Sequence, residues 1–304
     1  MTVLFVFLTS CSHFHMRYLL LFAFLLAASA AHAARVDTLA IPSAAMHKTY
    51  RAAVVLPASY AKRKQARYPV LYLLHGAYGH FADWLRNTPD KQLVARLADQ
   101  YNLIIVLPEG ETFSFYLDSP VNPASQFETY LTKEVLPKID QTYRTVADRR
   151  ARVITGLSMG GHGALYLAAR HPDLYAAAGS MSGALDLMSF NRKLSSAEAL
   201  QRAKLWEPIL GSEIANPERF AASSVLTLVD QLHGAGLPLI IDCGVDDGLL
   251  EINREVHRRL LYNHTPHDYT ERPGAHTWDY WQTALPYHVL FLTQVLKENG
   301  VAVQ

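Results

Sequence analysis

Cysteine is nearly missing from this 304-residue chain, which holds only Cys11 and Cys243. Cys11 falls in an N-terminal stretch that reads as a leader, so a processed protein keeps one thiol and no internal disulfide, which permits an oxidising compartment without demanding one. Cys243 reads as a small buried apolar residue at a strand end. An excess of charge is missing too. There are 28 Lys and Arg against 27 Asp and Glu, and with Arg17 assigned to the leader the remainder is balanced. That balance argues against nucleic acid as the main partner. No internal repeat or low-complexity linker appears, which excludes solenoids and disordered tails. Among the 14 histidines no pair has convincing metal-ligand spacing: His264 and His267 lie in a Thr-Pro loop without an accompanying acid and helix. Neither a catalytic metal nor a cofactor is expected.

What is present is apolar: half of the residues are hydrophobic and 18% are charged, enough for one large core. Residues 1–33 divide into a charged start at Arg17, an apolar run from Leu19 to Ala28, and Ala31-His32-Ala33, the order of a cleaved signal peptide. Met16 stands directly before Arg17 and is an alternative start. An uncleaved anchor and a lipoprotein site at Cys11 compete, but Ser12, His13, His15 and Arg17 interrupt the apolar run and no basic residue precedes Cys11. The expectation is export to the periplasm or beyond, without stable membrane insertion after processing.

From Thr49 short apolar runs alternate with helical patterns. Strands are expected at 51–56, 70–74, 103–107, 151–157, 175–181, 237–242 and near Tyr269. Helical periodicity covers 90–101, 163–170, 249–262 and 278–296, and a further helix from Ser125 carries Phe127, Leu131, Val135 and Ile139, with Pro137 expected to kink or shorten it. Residues 185–228 break the rhythm and read as a cap-like insertion in a domain of residues 34–304. Alternating strands and helices imply an α/β fold with a mainly parallel sheet covered on both faces.

The chemistry centres on Gly156-Leu157-Ser158-Met159-Gly160-Gly161, between an apolar strand and a helix. Glycines two residues either side of a serine allow the strained strand-to-helix turn that lifts a hydroxyl above a sheet. A serine hydroxyl is a weak nucleophile and needs a histidine to take its proton and an acid to orient that histidine. In a parallel sheet these partners come from loops at the carboxyl ends of later strands. The loop 243–248 offers Asp246 and Asp247, and the loop 273–278 offers His276. Asp242, still on the strand, is a weaker third acid. His162, His233, His264 and His267 read as packed or solvent-facing. The oxyanion donors are expected to be the backbone N–H groups of Met159 and of Ala77, in the turn His75-Gly76-Ala77-Tyr78-Gly79.

Together these stretches resemble the esterase D / putative esterase family of α/β-hydrolases, which includes S-formylglutathione hydrolases, feruloyl and acetyl esterases and the mycolyltransferase antigens. The matching pieces are Leu73-Leu74-His75-Gly76 with Trp84, Tyr116-Leu117-Asp118-Ser119, Phe127-Glu128-Thr129-Tyr130, Gly156 through Ala164, His171-Pro172-Asp173-Leu174, Cys243-Gly244 with Asp247 and Asn253, and His276 through Trp281. The resemblance implies an α/β-hydrolase fold and selects Asp247 over Asp246, since the family's acid stands three positions after the Cys-Gly pair. It implies a small ester as substrate, with a short acyl, an aromatic acyl or an acylated sugar. The oxyanion loop lacks the cysteine-rich surroundings of cytosolic S-formylglutathione hydrolases, which argues against a glutathione thioester. Tyr78, Trp84, Phe115, Tyr116, Asp118 and Trp278 are expected around the substrate, against the plain alternative that these rings pack the loops together. Transfer of the acyl group to a sugar or lipid alcohol is the alternative activity. A non-catalytic binding scaffold would be expected to have lost one of Ser158, Asp247 and His276. The sequence carries no signal of oligomeric state.

Overall fold

The computed structural model describes residues 34–188 and 196–301; the leader, residues 189–195 of the expected insertion and residues 302–304 lie outside them. Eight strands form one sheet: β1 (Arg35–Ser43), β2 (Lys48–Leu56), β3 (Val70–Leu74), β4 (Ile104–Pro108), β5 (Arg152–Gly156), β6 (Ala177–Met181), β7 (Leu239–Gly244) and β8 (His267–Arg272). Their spatial order is β1-β2-β4-β3-β5-β6-β7-β8. The first two pairings, β1 with β2 and β2 with β4, are antiparallel, and the rest are parallel. The longer helices are α1 (Leu93–Tyr101), α2 (Met159–Arg170), α3 (Ser196–Leu210), α4 (Leu250–Tyr262) and α5 (Trp278–Glu298).

The central strands are apolar along their whole length because both faces of the sheet are covered. In β3, Val70, Tyr72 and Leu74 join the core under α2 and α4, while Leu71 and Leu73 join the core under α1 and α5. The chain leaves β3 toward β4 on one side and later returns to β5 on the other. A crevice opens at such a switch point, outside the carboxyl ends of the strands. The loops after β3 and β5 meet there.

Two local departures from the expected elements have physical causes. β1 lacks the apolar run of a central strand: it is an edge strand with mostly exposed side chains, and Pro42 is tolerated there because an edge has N–H groups with no ladder partner. The helix from Ser125 is broken in three, Phe127–Thr129, a π-helical turn Tyr130–Val135, and Leu136–Thr142. Pro137 has no N–H and its ring crowds the carbonyl of residue 133, which widens the turn preceding it rather than shortening the helix. α2 begins at Met159, as the elbow requires, ahead of the apolar pattern that starts at Gly163. Among the described residues no helix is long and apolar enough to cross a membrane.

Candidate active site

β5 ends at Gly156, and the chain turns through Leu157 and Ser158 into α2. Ser158 sits at φ 55° and ψ −116°, a conformation that costs a residue with a side chain about 1–3 kcal/mol. It is held there by its backbone: the Ser158 N–H donates to Met181 O at 2.9 Å, and its carbonyl accepts from His162 N–H at 3.0 Å and Ala184 N–H at 3.2 Å. The turn also needs α2 to start almost in contact with β3. A Cβ on Gly160 would lie 2.6 Å from the His75 carbonyl oxygen and 2.7 Å from that of Leu74, so only glycine fits.

The loops after β7 and β8 lie side by side. Val245 N–H donates to Arg272 O and Asp246 N–H to Gly274 O, both at 2.9 Å. This pairing sets Asp247 beside His276: Asp247 Oδ2 is 2.8 Å from His276 Nδ1, and His276 Nε2 is 2.9 Å from Ser158 Oγ. With Nδ1 donating to the carboxylate, Nε2 is left as an acceptor for the serine proton. The second oxygen of Asp247 accepts from Leu249 N–H at 2.8 Å. Burial pushes the Asp247 carboxyl upward, but the hydrogen bond and charge of His276 together with the Leu249 N–H outweigh it and hold it below the usual aspartate range. Asp246 is exposed, and Asp242 bonds to Arg272 instead. His162 is buried, stacks on Tyr166 and bonds to Ser223 O at 2.7 Å; burial brings it down to about 4, so it stays neutral.

Met159 is the first residue of α2, where a helix leaves N–H groups without internal acceptors. In the loop after β3 the neighbouring N–H groups are committed, Tyr78 to Thr112 O at 2.7 Å and Gly79 to Gly76 O at 3.3 Å. The Ala77 N–H has no backbone acceptor, and Ala77 lines the same cavity as Ser158.

A cavity of about 1030 Å³ opens over Ser158. Tyr78, Phe115 and Trp278 line it, as the sequence suggested, together with Phe113, Leu205, Leu226, Ile252 and Trp281. The sequence reading missed these last five. Phe113 is in the aromatic loop after β4, but Leu205 and Leu226 lie in the insertion and Ile252 and Trp281 on helices, where apolar residues read as core. Three residues expected at the substrate are elsewhere. Trp84 is buried, with Nε1 donating to Leu74 O at 3.0 Å, and Tyr116 is buried, with its hydroxyl donating to His75 O at 3.0 Å. Both brace the ends of β3 and the Ala77 loop from behind. Asp118 accepts from Thr129 N–H at 2.9 Å and Thr129 Oγ1 at 2.6 Å and fixes the helix start at Phe127. Their aromatic or polar character served the loops, because a loop over a sheet has its own inner face to fill.

The model of the family described as "Putative esterase" matches residues 43–292. The chain belongs to this family. It is a carboxylic ester hydrolase with the α/β-hydrolase fold. A solved ferulic acid esterase is similar over 87% of this chain and 99% of its own length, with 30% identity and a TM-score of 0.71. The acetyl esterase of Caldicellulosiruptor saccharolyticus is 28% identical over 215 residues, 69% of this chain and 78% of that protein. An esterase of Mycobacterium tuberculosis (strain ATCC 25618 / H37Rv) is 30% identical over 244 residues, 74% of this chain. The match spans about half of that mycobacterial protein, 52%.

Among the described residues of this esterase no group of three or more His, Cys, Asp and Glu side chains converges as metal ligands would. The polar centre of the site is the series Ser158, His276 and Asp247.

Proposed function

We propose that the protein is an exported serine esterase in which Ser158 is the nucleophile, His276 the general base and Asp247 the orienting acid. The observation that carries this reading is the continuous contact from Ser158 Oγ through His276 to a buried Asp247 carboxylate, at 2.9 Å and 2.8 Å, at the floor of a cavity. Ser158 Oγ attacks the ester carbonyl while His276 Nε2 takes the hydroxyl proton. The tetrahedral oxyanion is stabilised by the Ala77 and Met159 N–H groups. His276 returns the proton to the leaving alcohol, an acyl group remains on Ser158, and water enters by the same route in reverse. Asp247 keeps the imidazole in the tautomer with Nδ1 protonated and stabilises its charged form.

The aromatic wall of Tyr78, Phe113, Phe115, Trp278 and Trp281 suits an aromatic acyl group or a sugar ring. The likeness to a ferulic acid esterase and an acetyl esterase supports the same range of acyl groups. Export rests on the pattern Arg17, Leu19 to Ala28 and Ala31-His32-Ala33.

Ser158→Ala tests the reading: hydrolysis of p-nitrophenyl acetate should fall to background with the circular dichroism spectrum unchanged. A variant that turned over at the wild-type rate would remove Ser158 from the mechanism. Supplying an acceptor alcohol to the wild-type protein and measuring acid against new ester separates hydrolysis from acyl transfer; predominant free acid is expected.

A further inference from the structure

Behind the loops that carry Asp247 and His276 lies a second ionic contact, between a buried acid and a half-buried arginine, that the proposed chemistry does not use. Asp242, on β7, is 3% exposed and accepts from Arg272 Nη2, at the end of β8, at 2.5 Å. Around them on the α5 side of the sheet are His288, whose Nε2 is 3.6 Å from Asp242 Oδ2, and Tyr280 and Tyr287, over whose rings the Arg272 guanidinium sits at 5.4 Å and 4.5 Å. His288 is tied across the sheet to Thr155 Oγ1 of β5 at 2.8 Å. Gly179 leaves the space for that ring, since a Cβ there would lie 2.5 Å from His288 Nδ1.

This cluster is poorly satisfied. Asp242 Oδ1 and His288 Nε2 are buried without a hydrogen-bond partner, while the Tyr280 hydroxyl faces the Arg272 guanidinium. Burying the Asp242 carboxylate against a half-buried guanidinium with polar atoms left over costs stability relative to apolar residues of similar volume. Stability does not explain the pair, but its position does. Asp242 roots the loop that ends at Asp247, and Arg272 roots the loop that ends at His276. From these roots the two loops run paired through Val245 N–H to Arg272 O and Asp246 N–H to Gly274 O. The backbone ladder pairs Asp242 with Thr270 and Gly244 with Arg272, so the ion pair runs diagonally across β7 and β8 to the point where the loop pairing starts. A slip there would move Asp247 and His276 relative to Ser158, which rides on β5 and α2. Misplacement by about 1 Å can cost a catalytic group about 100-fold in rate.

We propose that Asp242 and Arg272 are a positioning pair that sets the base and its acid over the nucleophile, at a cost in stability. The inference rests on the assignment of Ser158, His276 and Asp247 made above. Removing one partner alone leaves an uncompensated buried charge and risks the fold, so the test uses the double variant Asp242→Asn/Arg272→Met, which removes both charges. Its melting temperature should equal or exceed the wild-type value. Its kcat on p-nitrophenyl acetate should drop about 10- to 100-fold with KM within about twofold, the split that marks lost transition-state geometry. The downfield proton signal of His276 Nδ1–H should shift or broaden. Arg272→Lys, which keeps the charge, should recover part of kcat.

Arg152→Met/Asp140→Asn is the comparison. That pair, at 2.8 Å, sits at the opposite end of β5, and its removal should leave kcat unchanged. A wild-type kcat and an unmoved Nδ1–H signal in Asp242→Asn/Arg272→Met would overturn the proposal, as would an equal loss in the comparison variant. Ser158→Ala assayed alongside separates the two levels: if it stays active, the site assignment fails first, and if it is dead while the double variant is fully active, only the positioning role fails.

Discussion

The most informative single change is Asp247→Asn, because the surroundings of Asp247 dictate which way the new amide faces. One carboxylate oxygen accepts from Leu249 N–H at 2.8 Å and the other faces His276 Nδ1 at 2.8 Å. Leu249 offers only a donor, so the Asn oxygen must stay on that side and its NH2 must turn toward His276. A donor there requires a lone pair on Nδ1, so the ring carries its proton on Nε2 instead. Nε2–H then points at Ser158 Oγ and cannot take a proton from it. Loss of the wrong-tautomer kind is worth about 10⁴ in kcat, or about 5.4 kcal/mol at 1.36 kcal/mol per decade. The assay is steady-state hydrolysis of p-nitrophenyl acetate with KM followed in parallel and expected to stay within about threefold. Asp246→Asn, at an exposed position, should be indistinguishable from wild type. An Asp247→Asn enzyme within tenfold of wild type, or an inactive Asp246→Asn, would refute the tautomer reasoning and move the orienting role to another acid.

Trp84 and Trp278 should separate cleanly. Trp84→Ala empties a buried site and should lower stability by about 3–5 kcal/mol in denaturant titration, whereas Trp278→Ala should raise KM for an aromatic acyl ester more than for an acetyl ester. Glu128 is buried among Tyr166, Arg170 and His171, at 3.0, 2.8 and 2.7 Å. Burial raises its pKa, but the bonds to His171, Arg170 and Tyr166 outweigh it and leave the pKa below the ordinary glutamate value. A depressed carboxylate stabilises the fold fully above its unfolded pKa of about 4.3 and loses that contribution as pH falls through the lower folded value. Glu128→Gln should therefore melt below wild type at pH 7, with the gap closing as the pH is taken below about 4; a gap independent of pH would contradict the assignment.

The elbow and the order of its partners were legible from sequence because both follow from local rules. Gly156 and Gly160 leave room that only backbone can fill, and Asp247 and His276 must lie after later strands. Asp247 against Asp246 was not legible from local chemistry, since one residue's difference decides which carboxylate turns inward, and only the resemblance to a family whose acid stands three positions after its Cys-Gly pair distinguished them. The cavity wall was half legible. Phe113, Leu205 and Ile252 become wall residues only through tertiary packing, and Trp84 and Tyr116 look like binding residues until their hydrogen bonds to the carbonyls of Leu74 and His75 are seen. β1 escaped because an edge strand needs little apolar surface. The Asp242–Arg272 contact escaped because it joins neighbouring strands 30 residues apart in the chain.

The left-handed backbone of Ser158 has a consequence for engineering. Because φ 55° is a conformation glycine adopts freely, Ser158→Gly relieves strain that serine must bear, and it should melt higher than the wild type while hydrolysing nothing. A campaign that selects only for heat resistance would therefore drift toward erasing its own catalyst. Any library built on this scaffold needs turnover as a second criterion, at this one position above all.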